Sequence, residues 1–189
     1  PHMNHSMKKY FPPVVLVLCV LMLLKSNFHT FNKLPLHKHA WSQLDHYSLS
    51  LGFVENDLNF FKPQTLTYNY YYPGDWKRKQ LSRITNVDFP VHHYIPAVIM
   101  KVTGSESPLI SQVYTYLYSL FGLFFLYQLS LLFIKNRFLA LFPVLTMMFS
   151  PVFIYYQNGF LPSIPSLANF IAGIYFYCRF ARGGNQKFW

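Results

Sequence analysis

Apolar residues in this chain collect into runs that can be measured against the thickness of a bilayer. Residues 10–24 form the first run, fifteen residues or about 22 Å of helix at 1.5 Å per residue. A hydrocarbon core is about 30 Å thick, so this helix crosses only if the bilayer thins or Lys8, Lys9 and Lys25 snorkel from its ends. Two lysines ahead of an apolar stretch also describe a secretory signal, but Lys25, Ser26, Asn27 and Phe28 offer no small-x-small cleavage site. Residues 7–25 therefore read as an uncleaved first crossing, and residues 1–6 as a leader ahead of Met7.

Residues 111–134 carry the strongest spanning pattern, inside a second segment at 108–134. No Asp, Glu, Lys or Arg falls between Phe138 and Cys178. That leaves room for two more crossings, 138–157 and 160–180, if the chain turns at Gln157, Asn158 and Gly159, where polarity peaks. Pro143, Pro151, Pro162 and Pro165 would kink these helices, which a membrane tolerates where neighbouring helices re-satisfy the freed carbonyls. The pattern predicts an all-α membrane protein, a bundle of about four transmembrane helices.

Residues 26–107 break the pattern with a domain-sized polar loop on the outer, periplasmic side that holds all six acidic residues. Within it, residues 40–54 suit a helix whose weakly apolar face (Trp41, Leu44, Ser48, Leu51) would lie on the membrane surface. Residues 65–72 favour extended structure, and Pro73, Gly74 and Asp75 signal a turn. Residues 90–102 are apolar but too short to cross, which predicts an interfacial or re-entrant helix.

A formal charge of +10 on 189 residues raises nucleic acid as a partner, and the position of the cations argues against it. Lys8 and Lys9 precede the first run, Lys135 and Arg137 follow the second, and Arg179, Arg182 and Lys187 follow the last. With the N-terminus inside, four crossings place every one of these flanks inside, with residues 181–189 as a cytoplasmic tail. The long first loop is exempt from that rule. Charged residues are 12% of the chain, about half the ordinary share of roughly 25%, so the bilayer and anionic or phosphate-bearing lipid are the expected partners. Cys19 and Cys178 lie in or at the end of apolar runs and define no disulfide framework.

No carboxylate follows Glu106, so acid–base chemistry must draw on Asp45, Glu55, Asp57, Asp75, Asp88 or Glu106. All six sit in the outer loop, which confines an active site to the outer face, in reach of lipid-linked substrates and out of reach of cytosolic nucleotides. The absence of ionisable residues inside the spans disfavours a transporter. Asp45 stands between catalysis and mere decoration of a helix's polar side. Asp88 could help hold a divalent cation, orient a loop, or cap a helix beginning at Pro90. Lys77, Arg78, Lys79 and Arg83 form a basic cluster suited to a lipid-linked phosphate or to anionic headgroups. His37, His39, His92 and His93 lack zinc-site spacing with nearby cysteine or carboxylate ligands. Tyr68, Tyr70, Tyr71 and Tyr72 could stack on a sugar, although aromatic residues also gather at membrane interfaces.

Taken in order, His39, Trp41, Gln43 and Asp45, then Asp88, Phe89 and Pro90 with Tyr94, then Ser150 and Pro151 with Tyr155, Tyr156 and Pro162 resemble the opening part of a bacterial GT-C glycosyltransferase. The similarity is to the dolichyl-phosphate-mannose protein mannosyltransferase-like branch, glycosyltransferase family 39, which also includes the lipid A aminoarabinose transferases. It runs from Met7 to about Trp189 in the order and spacing of its parts. The resemblance implies a multi-pass protein of the bacterial inner (plasma) membrane and an inverting transferase. The donor would be a polyprenyl-phosphate-linked sugar, and the acceptor hydroxyl would belong to a glycan, lipid or protein at the outer face. It implies Asp45 as the catalytic general base, Asp88 as a substrate residue or ligand to a divalent metal ion, and Lys77, Arg78, Lys79 and Arg83 as binders of the donor phosphate.

Two departures stand against that pattern. Pro162 is followed by Ser163 where the family commonly has an aspartate, and the chain is shorter than a complete member, which predicts an amino-terminal fragment, inactive alone. The alternative is a small non-catalytic membrane protein that scaffolds or binds a partner through its outer loop.

Overall fold

The computed structural model describes residues 5–35, 39–69 and 82–183. The chain is mostly helical, in the order α1 (His5–Asn27), a 3-10 turn (Phe28–Thr30), α2 (Ala40–Glu55), strands β1 (Gln64–Asn69) and β2 (Ser82–Ile84), α3 (Val91–Thr103), α4 (Pro108–Phe133), α5 (Leu141–Met148), α6 (Pro151–Tyr156) and α7 (Ser163–Ala181). It divides into two compact units. The first holds Pro1–Phe31, Tyr116–Asn158 and Ser163–Trp189; the second holds Asn32–Thr115 and Gly159–Pro162.

The first unit is built from apolar helices. Among the described residues α4 is the one helix long and apolar enough to cross a membrane, and the apolar stretch of α1, Val14–Lys25, is shorter. Leu23, Leu123, Val144, Met148, Phe153 and Ile164 form its buried core. Gly122 sits against Ala168, where an added Cβ would come within 3.0 Å of the alanine methyl. Small residues on both helices let the α4 and α7 backbones approach closely, the device that packs helices where no hydrophobic effect drives them together. The outward faces stay apolar: Val17, Leu18 and Met22 on α1, Leu117, Phe121 and Phe124 on α4, and Phe170, Phe176 and Tyr177 on α7 are exposed. A surface of that character needs lipid or protein against it.

Contacts at the two ends of this unit order its helices. The Phe11 and Phe138 rings lie 5.3 Å apart, and the Arg182 guanidinium stacks 4.5 Å over the Phe133 ring while donating to the Leu132 carbonyl. At the other end the Asn158 amide donates to the Thr30 hydroxyl at 2.6 Å. The start of α1 and the ends of α4 and α7 therefore share one end of the unit, where Lys135, Arg137, Arg179 and Arg182 gather. The end of α1 and the turn after α6 share the other.

Residues 138–157, expected as one crossing kinked by its prolines, form two short helices. Residues 137–140 turn, α5 ends at Met148, and α6 begins at Pro151. The cause is Pro151, which has no N–H for the helical ladder and pushes the preceding Ser150 out of the helical region, to φ −64 and ψ 128.

The second unit packs α2 against α3 and the β1–β2 hairpin. Leu49, Phe53 and Ala97 make one buried cluster, and Tyr47, Met100 and Phe160 another. Tyr94 meets the Phe53 and Phe60 rings edge-on at 5.4 and 5.1 Å. The hairpin reaches α2 at Gly52, where a Cβ would lie 1.9 Å from the Gln64 carbonyl oxygen. Beside it the Leu66 amide donates to the Ser48 hydroxyl at 2.7 Å. Residues 65–69 are extended as expected, whereas the turn expected at Pro73, Gly74 and Asp75 lies outside the described residues. The helix expected over 90–102 forms as α3, and its Ala97 and Met100 are buried in this unit's own core.

Candidate functional site

Helix α2 has two faces. Gln43, Tyr47 and Ser50, with Leu49 and Phe53, turn inward; Trp41, 71% exposed, and Leu44 turn outward, on the side expected to meet the membrane. Asp45 is exposed on this helix, and the next residue, His46, is half-buried at the boundary between the faces. Helix α3 begins after Pro90, whose ring ends the bend carrying Asp88 and starts the new helix with its φ already near helical. Its first turn carries His92 and His93.

The packing of α2 on α3 joins two histidines 47 positions apart in sequence. His46 Nδ1 and His93 Nε2 are 2.7 Å apart, and their rings stack with centroids at 4.8 Å and planes 10° apart. His93 is buried, and its Nδ1 reaches no partner at hydrogen-bonding geometry among the described residues. Beside it, His92 Nδ1 meets the Tyr114 hydroxyl at 2.8 Å.

Burial sets the charge state of this cluster. His93 is driven down from its ordinary 6.5 to about 3, chiefly by desolvation and then by the neighbouring His46 and His92, with the Pro90 carbonyl acting weakly the other way. His92 is lowered by desolvation. His46 is lowered by desolvation too, but Asp45 and Asp88 both pull it back toward the charged form. Both carboxylates thus act electrostatically on one imidazole, although 43 positions separate them in sequence. Neither Asp45 nor Asp88 has an ion-pair or hydrogen-bond partner among the described residues. Tyr47, the next residue of α2, donates its hydroxyl proton to the Glu106 carbonyl oxygen, and burial raises its pKa.

The other expected site residues fall elsewhere. Arg83, on β2, forms an ion pair with Glu55 and donates to the Thr65 carbonyl at 2.8 Å, tying the hairpin to the end of α2. Asp57 pairs with Lys101 at 3.1 Å. Lys77, Arg78 and Lys79, together with His37 and Tyr70, Tyr71 and Tyr72, lie outside the described residues. Among the described residues no three His, Cys, Asp or Glu side chains come together to hold a metal ion. Two carboxylates are also few for a hard divalent cation, which takes six or more oxygens.

His46 is the residue that the sequence pattern does not mark. Its partner is 47 positions away, and only the expectation that two surface helices flank the same loop hints that they meet. Set against known protein families, curated proteins and solved structures, the chain finds no match.

Proposed function

We propose that this chain carries the acceptor-activating part of a membrane glycosyltransferase. It moves a sugar from a polyprenyl-phosphate donor to a hydroxyl of a glycan, lipid or protein at the outer face of a bacterial inner membrane, in a chain of four crossings. The observation that carries this reading is the convergence of Asp45 and Asp88 on His46: two exposed carboxylates, with no hydrogen-bond or ion-pair partner among the described residues, act on one half-buried imidazole.

An acceptor hydroxyl must lose its proton as its oxygen attacks the anomeric carbon, while the lipid phosphate leaves as an already stable anion. The chemistry therefore calls for a basic group at the acceptor and cations at the phosphate. Asp45 accepts the hydroxyl's hydrogen bond and promotes loss of its proton; the cationic segment with Lys77, Arg78 and Lys79 receives the donor phosphate. The exposed Trp41, one turn before Asp45, rests that helix on the interface, where a lipid-linked substrate presents its headgroup. The arrangement of the first unit supports the crossing pattern, because its basic flanks collect at one end and the polar Asn158 turn lies at the other.

The test is sugar transfer from a polyprenyl-phosphate donor in membranes bearing the whole gene product. Asp45→Asn keeps the shape and removes the basicity, and transfer should fall about 10²-fold or more. An exposed aspartate with no chemical role would change stability by less than about 0.5 kcal/mol and leave turnover near wild type, the result that would reject the assignment.

A further inference from the structure

We infer that Phe61 and Phe89 insert into the lipid leaflet at the amino-terminal end of α4 and seat the second unit on the membrane by an aromatic edge. The inference requires α4 to span the bilayer and stands apart from sugar transfer.

The two rings belong to separate loops, one after α2 and one before α3, and both meet Phe60. The Phe60 ring lies 5.6 Å from that of Phe61 and 5.3 Å from that of Phe89. On its other side are Tyr94, edge-on at 5.1 Å, and the fully buried Phe53, stacked at 6.4 Å. Hydrogen bonds stiffen the first loop. The Asn56 side-chain amide donates to the Lys62 carbonyl at 2.6 Å, the Asn59 amide to the Asn56 side-chain oxygen at 3.0 Å, and the Leu58 amide to the Phe53 carbonyl at 2.8 Å. Phe61 is nevertheless 90% exposed and Phe89 76%. Two large rings braced on the core and left outside it form an apolar patch that needs an apolar phase to cover it.

The length of α4 identifies that phase as lipid. The helix ends at Phe133, just ahead of Lys135 and Arg137, cations that hold to a membrane surface. A hydrocarbon core of about 30 Å takes up roughly 20 residues of helix, so the other boundary falls near Tyr114. The side chains agree with that register. Ser111 and Gln112 are the polar residues just before it, and Tyr114, Tyr116 and Tyr118 stand where aromatic belts form. Helix α3 is brought to the same level. Residues 104–107 join its end to the start of α4, while its first turn reaches Tyr114 of the same unit, with His92 Nδ1 2.8 Å from the tyrosine hydroxyl. Phe89 stands two positions before that turn, so the aromatic edge lies where hydrocarbon begins. The exposed Lys62 and Asp88 beside the rings then sit among the headgroups. A sugar or a protein would also stack on exposed rings, but neither accounts for their level along α4.

The experiment measures nitroxide accessibility in the whole gene product, held in nanodiscs of phosphatidylcholine and phosphatidylglycerol. Single labels are placed at Phe61→Cys, Phe89→Cys, Leu117→Cys and Ser105→Cys in a background without other cysteines. Oxygen concentrates in hydrocarbon and a nickel chelate stays in water. Labels at 61 and 89 should collide more often with oxygen than with the chelate, as should the label at 117 on the exposed face of α4. The label at 105, beyond the end of α3, should show the reverse order. Labels at 61 and 89 as open to the chelate as the one at 105 would overturn the proposal. Labels shielded from both probes would overturn it too, since protein would then cover the rings. A chelate-accessible label at 117 would remove the register along α4, and the proposal with it. Should the variants fail to fold, the unsubstituted protein decides, in lipid carrying a photoreactive diazirine high on its acyl chain. Adducts on Phe60, Phe61 or Phe89 support insertion, and their absence while α4 is modified rejects it.

Discussion

His93 shows what a single buried titratable side chain costs the fold that holds it. Its value of about 3 in the folded chain stands against 6.5 when exposed, so between those limits the unfolded chain binds a proton that the folded one refuses. Stability must therefore fall as pH drops from about 6.5 and level off near 3. Hydrogen exchange of the α2 and α3 amides, corrected for intrinsic rates, should reveal progressively weaker protection over that window. His93→Gln should flatten the dependence, and protection that is flat in the wild type would show that the ring is solvated. At this scale the sequence was legible in part. Asp45 and Asp88 stand out because carboxylates are few and confined to one loop, and both act on one imidazole. His46 does not stand out, since nothing local distinguishes a histidine that will meet a partner 47 positions on. Arg83, expected among phosphate-binding cations, is engaged with Glu55 and the Thr65 carbonyl, a pairing that charge alone could not reveal.

Elements were more legible than contacts, and the exceptions have local causes. Helix α4 announces itself through an uninterrupted apolar run, and α2 through the spacing of Trp41, Leu44, Ser48 and Leu51, although Ser48 accepts from the Leu66 amide and Leu51 packs on the Tyr47 cluster instead of facing outward. The crossing expected over 138–157 divides into α5 and α6 at Pro151, one of the prolines expected to kink it. A count of apolar residues measures the thickness a segment could cross, and says nothing about whether its hydrogen-bond ladder is continuous. The position of β1 was equally hidden, because it depends on the missing side chain of Gly52. Gly52→Ala places a methyl on the Gln64 carbonyl, which cannot yield without moving the strand. We expect a loss of about 1 to 3 kcal/mol and faster proteolysis within residues 64–84, with α4 unaffected. Unchanged cleavage would mean that the hairpin does not rest on α2. Gly104, in the left-handed region at φ 66 with open space around it, ends α3 for a different reason: it is conformational freedom, not a close approach, that selects glycine there.

On the scale of the whole chain, the polar unit takes in residues 32–115 and 159–162, and so includes the first residues of the apolar segment expected at 108–134. Residues 159–162 belong with the polar unit, and Phe160 buries its ring 5.1 Å from that of Tyr47. A short apolar connector therefore serves as core for a distant domain, something hydropathy could not separate from the start of a crossing. Composition predicts four crossings, and one helix meets the length and hydropathy of a span by itself, so sidedness is the measurement that matters. The basic flanks at 135–137 and 179–182 gather at the end of the first unit that also holds Phe11 and Phe138. Moving such a cluster across a bilayer is opposed by the charge bias that orients membrane proteins. The proposed outer-face reaction requires the carboxylates of the polar unit, every one among the described residues, to be accessible from outside the cell. Asn86 and Asn136 are exposed, one in each unit, and are suited to single cysteine substitutions in a background with Cys19 and Cys178 replaced. In intact cells an impermeant maleimide should label the cysteine at 86 and spare that at 136 until the membrane is opened. Equal labelling of both from outside would place the basic flanks and the carboxylate–histidine cluster in one compartment, and the four-crossing arrangement would be wrong.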